Sequence, residues 1–196
     1  MADEHRTIMM RRKREGRTNY KKRLKYLVSG KSRMIVRICS RSIIVQVAAF
    51  SPKGDIVSVH VNSKVLSAYG WKYSCKNLPA AYLTGLLAGT MARKKGIKEV
   101  VVDFGLKKAV HGSKLFSAVK GMVDAGVLTG GSKDNDKGVM PSDERISGSH
   151  IMEYAKALKE NKELYNKNFS GYLKSKADPE AIASEFKAVK DKIAKS

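Results

Sequence analysis

Cysteine is scarce in this sequence. Cys39 and Cys75 are the only two cysteines in 196 residues, and neither belongs to a CxxC pair or has a histidine at metal-ligand spacing. Zinc sites are built from such pairs, and disulfide frameworks use more cysteines than two, so we interpret both residues as free thiols in a reducing compartment. A structural disulfide or a zinc site is the alternative.

Long hydrophobic runs are also missing. The sequence has no run of about 18 or more apolar residues, the length a membrane-spanning helix needs, and none is predicted. The opening MADEHRTIMMRR lacks the basic-then-apolar order of a secretory signal, so we expect a cytoplasmic protein. Apolar residues still make up 42% of the chain, which is enough for a hydrophobic core.

Acidic residues are few compared with basic ones. Thirty-nine Lys and Arg residues stand against eighteen acids, a formal net charge of +21. This excess favours a polyanionic partner, with nucleic acid as the first candidate and an anionic membrane surface as the second. Residues 1–33 hold twelve basic residues and three acids, whereas residues 150–196 hold ten and seven. We therefore predict the binding surface near the start of the chain.

The stretch RRKREGRTNYKKRLKYL, residues 11–27, divides at Thr18. Before it, Gly16 and dense positive charge predict an extended arm that is disordered in the free protein and ordered on RNA. After it, Thr18 is predicted to cap a helix that Gly30 ends. Apolar residues at helical spacing predict the face by which this helix docks on the core; they are Tyr20, Leu24, Leu27 and Val28. The helix is too short, and its apolar face too narrow, for membrane binding.

The middle of the chain predicts an α/β (α+β) fold. MIVRICSRSIIVQVAAFSPKGDIVSVHV is rich in β-branched residues and turns, which predicts a three-stranded antiparallel meander. A crossover helix, capped by Asn77 and closed by Gly96, leads to a fourth strand, IKEVVVDF. Gly85 and Gly89 on this helix suit close packing against the sheet. A second helix follows from Ser113.

Four parts are predicted along the chain. Residues 1–33 form a basic N-terminal arm and helix, residues 34–128 the α/β core domain, residues 129–149 a flexible polar loop, and residues 150–196 an α-helical C-terminal extension. The last helix is predicted to start at Asp178-Pro179-Glu180. Its apolar stripe consists of Ile182, Phe186, Val189 and Ile193.

The order of strands and helices suggests one enzymatic hypothesis, a ribonuclease-H-like metal nuclease. Such an enzyme needs carboxylates on the first strand, the first long helix and the fourth strand. Asp103 would supply the last, but residues 34–50 and 78–95 contain no acid. The four histidines show no spacing that couples them to a Ser or Cys nucleophile, and no GxxxxGK[ST] loop occurs. We therefore predict no enzyme, no catalytic residue, no metal and no cofactor.

RNA is a better match for the basic residues. Arg presents a planar fork to phosphate oxygens, and seven of the twelve basic residues in 1–33 are Arg. Double-stranded RNA is recognised by its backbone and shape, while unpaired bases stack on aromatic rings. Tyr20 and Trp71 are candidates for such stacking, Trp71 because it lies between Gly70 and Lys72 in an irregular loop. Packing of Tyr20 against the core is the alternative.

Four blocks of the sequence resemble a known family, the 5S-rRNA-binding family eighteen of large-subunit ribosomal proteins in its archaeal form. They are RRKREGRTNYKKRLKYLVSGKSRMIVR, NLPAAYLTGLLAG, HGSKLFSAVKGMVDAGV and PSDERISGSHI. The resemblance implies a non-catalytic role, the attachment of 5S rRNA to the 23S-type rRNA in the central protuberance. The 5S-binding ribosomal protein of family five would be a neighbour. A general RNA-architectural protein without 5S preference is the alternative.

The resemblance places RNA contacts in the basic opening and the loops near it. Together with our own additions from the residues, the candidate RNA-binding residues are Arg11, Arg12, Lys13, Arg14, Arg17, Asn19, Tyr20, Lys22, Arg23, Lys31, Arg33, Arg41, Trp71, Lys72 and Lys114. Asn19 stands where the family often has Asp, which changes a possible Asp–Arg pairing. Ser32 stands where a Pro often follows the Gly-Lys pair, which loosens a turn.

Overall fold

A five-stranded sheet forms the centre of the computed structural model, which describes residues 8–130 and 138–195. Its strands are β1 (Ser32–Ile38), β2 (Ile43–Ala49), β3 (Ile56–Asn62), β4 (Glu99–Asp103) and β5 (Leu128–Thr129). Their order in the sheet is β3-β2-β1-β4-β5. The β1–β2 and β2–β3 pairs are antiparallel, and β4 is parallel to both β1 and β5. The predicted meander and fourth strand are confirmed, and β5 is an addition to them.

Helices precede, connect and follow the strands. In the described residues they are α1 (Arg11–Arg14), α2 (Tyr20–Val28), α3 (Leu78–Lys94), α4 (Lys114–Asp124), α5 (Asp143–Ser147), α6 (Ser149–Leu158), α7 (Lys162–Asn168), α8 (Ser170–Lys174) and α9 (Ile182–Lys195), with 3-10 turns at Ser63–Tyr69 and Pro179–Ala181. The predicted α/β (α+β) class is confirmed. Helix α3 is the predicted crossover, because it leads from β3 to a strand parallel to β1.

The caps of α2 and α3 are both asparagines. The Asn77 side chain accepts a hydrogen bond from the backbone N–H of Ala80 at 2.8 Å, as predicted. At α2, Asn19 Oδ1 accepts from the N–H of Lys22 at 3.1 Å. The predicted cap Thr18 is wrong because a cap oxygen reaches the second or third helical N–H, and Thr18 lies one residue too early. Its hydroxyl accepts from Arg12 Nε at 2.9 Å instead.

The basic arm is not extended where the structure describes it. Residues 11–14 form a helical turn, and the N–H groups of Lys13 and Arg14 donate to the Met10 carbonyl at 2.9 and 3.1 Å. Gly16, at φ +63°, then reverses the chain. The prediction of an extended arm is therefore wrong for this turn, because local backbone hydrogen bonds form despite the like charges. The first seven residues of the arm lie outside the described residues.

One face of the sheet carries the hydrophobic core. Met34 and Val36 of β1 and Val45 of β2 point into it and are at most 1% exposed. Helix α3 is buried along most of its length by α4, α9 and the strands. The predicted stripe of α9 is confirmed, since its four residues Ile182, Phe186, Val189 and Ile193 belong to the same core. The C-terminal helices therefore share their core with the sheet.

Glycines allow α3 and α4 to approach closely. A Cβ atom on Gly85 would lie 1.9 Å from the Ala118 carbonyl oxygen, and one on Gly121 would lie 2.1 Å from the Tyr82 carbonyl oxygen. Gly89 also faces α4. The glycines of α3 thus pack against a helix, whereas the sequence predicts packing against the sheet. Small residues ease either contact, and the sequence does not distinguish them.

Residues 129–149 contain regular structure at both ends. Thr129 belongs to β5, and α5 lies near the end of the segment with Ile146 buried. Residues 131–137, in the middle of the predicted flexible loop, lie outside the described residues.

Candidate nucleic-acid interface

A cleft of ≈ 940 Å³ lies between the N-terminal segment and the sheet face that does not carry the core. Residues from Arg12 to Tyr26 form one wall. The other wall comes from β1, through Ile35 and Arg37, and from the loop after β4. Its basic lining residues are Arg12, Arg17, Lys22, Arg23, Arg33, Arg37 and Lys107, and its acids are Asp55 and Asp103.

Two of these arginines are occupied by the two acids. Arg23 binds Asp55 with both Nη atoms, at 2.9 and 2.8 Å from the two carboxylate oxygens. Arg33 donates from one Nη to Asp55 and from the other to Asp103 Oδ2, the latter at 3.1 Å. We call Arg23, Asp55, Arg33 and Asp103 the ion chain. Its charges cancel, so it adds nothing to the net positive charge of the cleft.

Burial removes Arg33 from the candidate RNA contacts. Its side chain is 3% exposed, and both of its Nη atoms are used by acids. A guanidinium in this position cannot reach an RNA phosphate, so this prediction is contradicted. Arg23, at 28% exposure, is also committed to a two-bond pair. The sequence alone predicts both arginines as free cations, because the acids that pair with them are 22 to 70 residues away along the chain.

The pair between Arg23 and Asp55 is charged at neutral pH. The hydrogen bond from Arg23, followed by that from Arg33, holds the pKa of Asp55 below its ordinary value, although burial acts in the opposite direction. The same hydrogen bond raises the pKa of the Arg23 guanidinium. Asp55 and Arg23 therefore both stay charged at the near-neutral pH at which the protein would bind RNA.

Trp71 is buried and does not offer its ring to bases. It is 3% exposed, its Nε1 donates to the Ser74 carbonyl at 3.2 Å, and its ring meets Tyr73 edge-on at 5.1 Å. Tyr73 in turn donates to the Asp178 carbonyl at 2.7 Å. The prediction of an exposed Trp71 is wrong, because an irregular loop beside a 3-10 turn packs against the C-terminal segment.

Seven candidate residues lie together in the cleft. They are Arg12, Arg17, Asn19, Tyr20, Lys22, Arg23 and Arg33. Tyr20 is half-buried, and Lys22 is exposed on α2. Arg17 also lies 3.2 Å from Glu15, a contact between exposed side chains that leaves the guanidinium accessible.

The other candidates lie outside this cleft. Arg11, Lys13, Arg14 and Arg41 are exposed. Lys31 is paired with Glu99, and Lys72 lies 3.7 Å from Glu185 of α9. Lys114, the first residue of α4, is half-buried and lines a second cavity.

That second cavity extends the basic surface. It has a volume of ≈ 390 Å³ and shares Ile38 and Lys107 with the cleft. Lys108 and Arg145 also line it. Lys107, Lys108 and Arg145, like Arg37, are absent from the sequence-based candidates. A signal existed for Arg37, because strand alternation with the buried Met34 and Val36 places it on the opposite face.

The nuclease hypothesis loses its one carboxylate in the structure. Asp103 accepts from Arg33 with Oδ2 and from the Gly105 N–H with Oδ1, at 2.8 Å for the latter. Within residues 8–130 and 138–195, no three His, Cys, Asp or Glu side chains converge as a metal site would require. Over the same residues, no helix has the length and apolar character to cross a membrane. Cys39 and Cys75 are free thiols, as predicted.

Comparison with known proteins identifies similar chains. A family model described as "Ribosomal large subunit proteins 60S L5, and 50S L18" matches residues 5–99. The protein named "Large ribosomal subunit protein uL18" from Thermofilum pendens is 48% identical over 187 residues, which cover 95% of this chain and 93% of that protein. The family model spans α2, the meander and most of the arm, which supply most of the cleft lining.

Proposed function

Because the chain belongs to the uL18 family of large ribosomal subunit proteins, we propose that it binds 5S rRNA and attaches it to the large rRNA in the central protuberance. The family is structural rather than enzymatic, so the chain is a constituent of the large ribosomal subunit, in the cytoplasm, with rRNA as its partner. We further propose that the protein recognises the 5S molecule itself and lies beside the 5S-binding ribosomal protein of family five.

The cleft is the observation that supports RNA binding. Exposed cations on the arm and α2 face Arg37 on the sheet and Lys107 on the loop after β4. The ion chain pairs both acids that line the cleft. The other charged side chains that line the cleft are therefore all positive. A positive, concave surface with Tyr20 at its wall suits a phosphate backbone that carries an unpaired base.

A selective binding experiment tests the 5S part. We expect the protein to bind 5S rRNA more tightly than tRNA or duplex DNA in gel-shift titrations at several salt concentrations. Phosphate contacts alone would be shared by all three ligands, so the difference measures shape recognition. Equal affinity for the three would contradict the 5S proposal, and equal affinity for 5S rRNA and tRNA with weaker binding to duplex DNA would indicate a general RNA-architectural protein.

The N-terminal arm is tested by removing residues 1–17, which ends before α2. A longer deletion through residue 33 would also remove Ser32 and Arg33 from the central strand β1. The deletion removes six basic residues, so we expect the slope of log K against log salt to become shallower by roughly 3 to 5. Replacing the exposed Lys162, Lys167 and Lys174 by Gln on α7 and α8 is the control and should leave the 5S preference unchanged.

A further inference from the structure

We propose that the ion chain positions α2 over the cleft, so that the acid Asp55 increases the affinity of the protein for RNA. The inference rests on the proposed function of the cleft. It assigns Arg23 and Arg33 a role as positioning residues, which act through α2 and do not touch phosphate.

Helix α2 lacks an apolar anchor. None of its residues is buried, and Leu24 and Val28, two of the four residues predicted to dock it, are 64% and 81% exposed. A helix of nine residues is marginal in water by itself. Tyr26 and Leu27 are only half-buried. The two-bond pair between Arg23 and Asp55 is therefore a major tie between α2 and the rest of the fold.

The far end of the ion chain is rigid. Arg33 lies on the central strand β1, next to β4, and Asp103 is the last residue of β4. The Gly105 N–H holds Asp103 at 2.8 Å, and Asp103 and Asp55 hold opposite sides of the buried Arg33 guanidinium. Asp55 itself lies in the turn before β3. A planar carboxylate fixed in this way sets both the distance and the orientation of the guanidinium it binds.

A positioning role of Asp55 and its charge alone predict opposite changes in RNA affinity when Asp55 is replaced. An Asp55→Asn substitution raises the net charge by one unit, and by charge alone this strengthens binding to a polyanion. In the proposed arrangement, the substitution releases Arg23 and leaves Arg33 with one acid, so α2 loses its fixed orientation. Apparent affinity falls with the fraction of molecules in the competent orientation. The two explanations therefore differ in sign.

The first test compares Asp55→Asn with Glu160→Gln, which removes an exposed acid outside the cleft. We expect 5S rRNA affinity to fall about tenfold for Asp55→Asn and not to fall for Glu160→Gln. Thermal melts establish the temperature range in which each variant is folded, and binding is measured there. Unchanged or tighter binding by folded Asp55→Asn overturns the proposal.

The second test conserves charge. Arg23→Lys keeps the positive charge but cannot form the planar two-bond pair, whereas Lys25→Arg, at an exposed position of the same helix, is the matched control. We expect Arg23→Lys to weaken binding several-fold with an unchanged salt slope, and Lys25→Arg to bind as the parent does. A shallower slope for Arg23→Lys would mean that phosphate contacts are lost in the complex itself, rather than that α2 is less often in its competent orientation, and would overturn the positioning role.

Amide hydrogen exchange of the free protein separates this inference from the proposed function. We expect Asp55→Asn and Arg23→Lys to lose protection in α2 while the amides of β1 and β2 keep theirs. If the variants lose protection in α2 and the wild-type protein does not prefer 5S rRNA, only the 5S proposal is refuted. Full protection of α2 in both variants, with normal 5S preference, would refute only the positioning role.

Discussion

Arg33 and Arg37 show how position decides the role of a residue. Both lie on β1 and point away from the core, four residues apart. Arg33 is enclosed between Asp55 and Asp103, whereas Arg37 is exposed in the cleft. A buried guanidinium must be paired, because losing water without a partner is costly, whereas an exposed one is free to bind phosphate. The amino-acid composition does not distinguish these two arginines.

Trp71 is a residue whose burial predicts a structural effect. We expect Trp71→Ala to lower the free energy of unfolding by about 3–5 kcal/mol, because a large buried ring is lost and a cavity remains. The measurement is urea unfolding followed by circular dichroism. Phe50→Ala, at a position 54% exposed, is the control and should change stability by less than about 1 kcal/mol. Weaker RNA binding with unchanged stability would instead support a stacking role for Trp71.

At the scale of elements, α2 and α3 are held in different ways. Helix α3 is buried on nearly all sides and meets α4 backbone to backbone at its glycines. Helix α2 has no buried residue and is tied by a charged pair. Close packing gives a rigid element, whereas a surface helix held by few contacts can open locally at low cost. Helix α3 is therefore a rigid part of the core, whereas the position of α2 over the cleft depends on a few side-chain contacts, among them the Arg23–Asp55 pair.

The contact between α3 and α4 predicts a strong effect of a single methyl group. We expect Gly85→Ala to destabilise the fold by at least about 3 kcal/mol, because the new Cβ would meet backbone atoms of Ala118 that cannot rotate away. Gly171→Ala is the matched control, since nothing lies within 4 Å of its Cβ position on α8. It should be neutral or stabilising by up to about 1 kcal/mol. Equal stability of the two variants in urea unfolding would contradict the close helix contact.

At the scale of the whole molecule, charge is divided between the two faces of the sheet. The core face packs against α3 and α4, α9 packs against α3, and the opposite face carries the cleft and its cations. The two acids that line the cleft are paired with arginines, so they do not offset the excess of basic residues there, which is +21 over the whole chain. The same excess makes the compact state repel itself, most strongly when carboxylates are protonated.

Acid should therefore unfold the protein in a defined pH range. The pKa of Asp55 is lower in the folded protein than its ordinary value of 3.8, so its ionised form stabilises the fold. That contribution is complete above pH 3.8 and is lost as the pH falls below it. The pKa of Asp143, lowered by its hydrogen bond from Lys120, acts in the same direction.

Thermal melts between pH 3 and pH 7 measure this effect. We expect the melting temperature to fall below about pH 4, and the difference between wild type and Asp55→Asn to shrink there, because unfolding of the wild type is then accompanied by protonation of Asp55. A constant difference between the two proteins down to pH 3 would contradict the lowered pKa of Asp55.

The sequence by itself determined the elements and the family. The strands of the meander, the Asn77 cap, the α9 stripe and the family were predicted from short stretches of sequence, and each is confirmed. Local backbone and side-chain preferences suffice for such features. The excess of basic residues likewise predicts a polyanionic partner without knowledge of the fold.

Only the tertiary structure decided which cations are available and what holds α2. Arg33 meets Asp103 across 70 residues, and Tyr73 meets Asp178 across 105. Local patterns cannot place such partners, so Arg33 and Trp71 were predicted as contacts although both are buried. The same limit explains why the sequence predicts docking of α2 by four apolar residues, although Leu24 and Val28 are exposed and Arg23 pairs with Asp55. Pairing and burial depend on which distant segments the fold brings together.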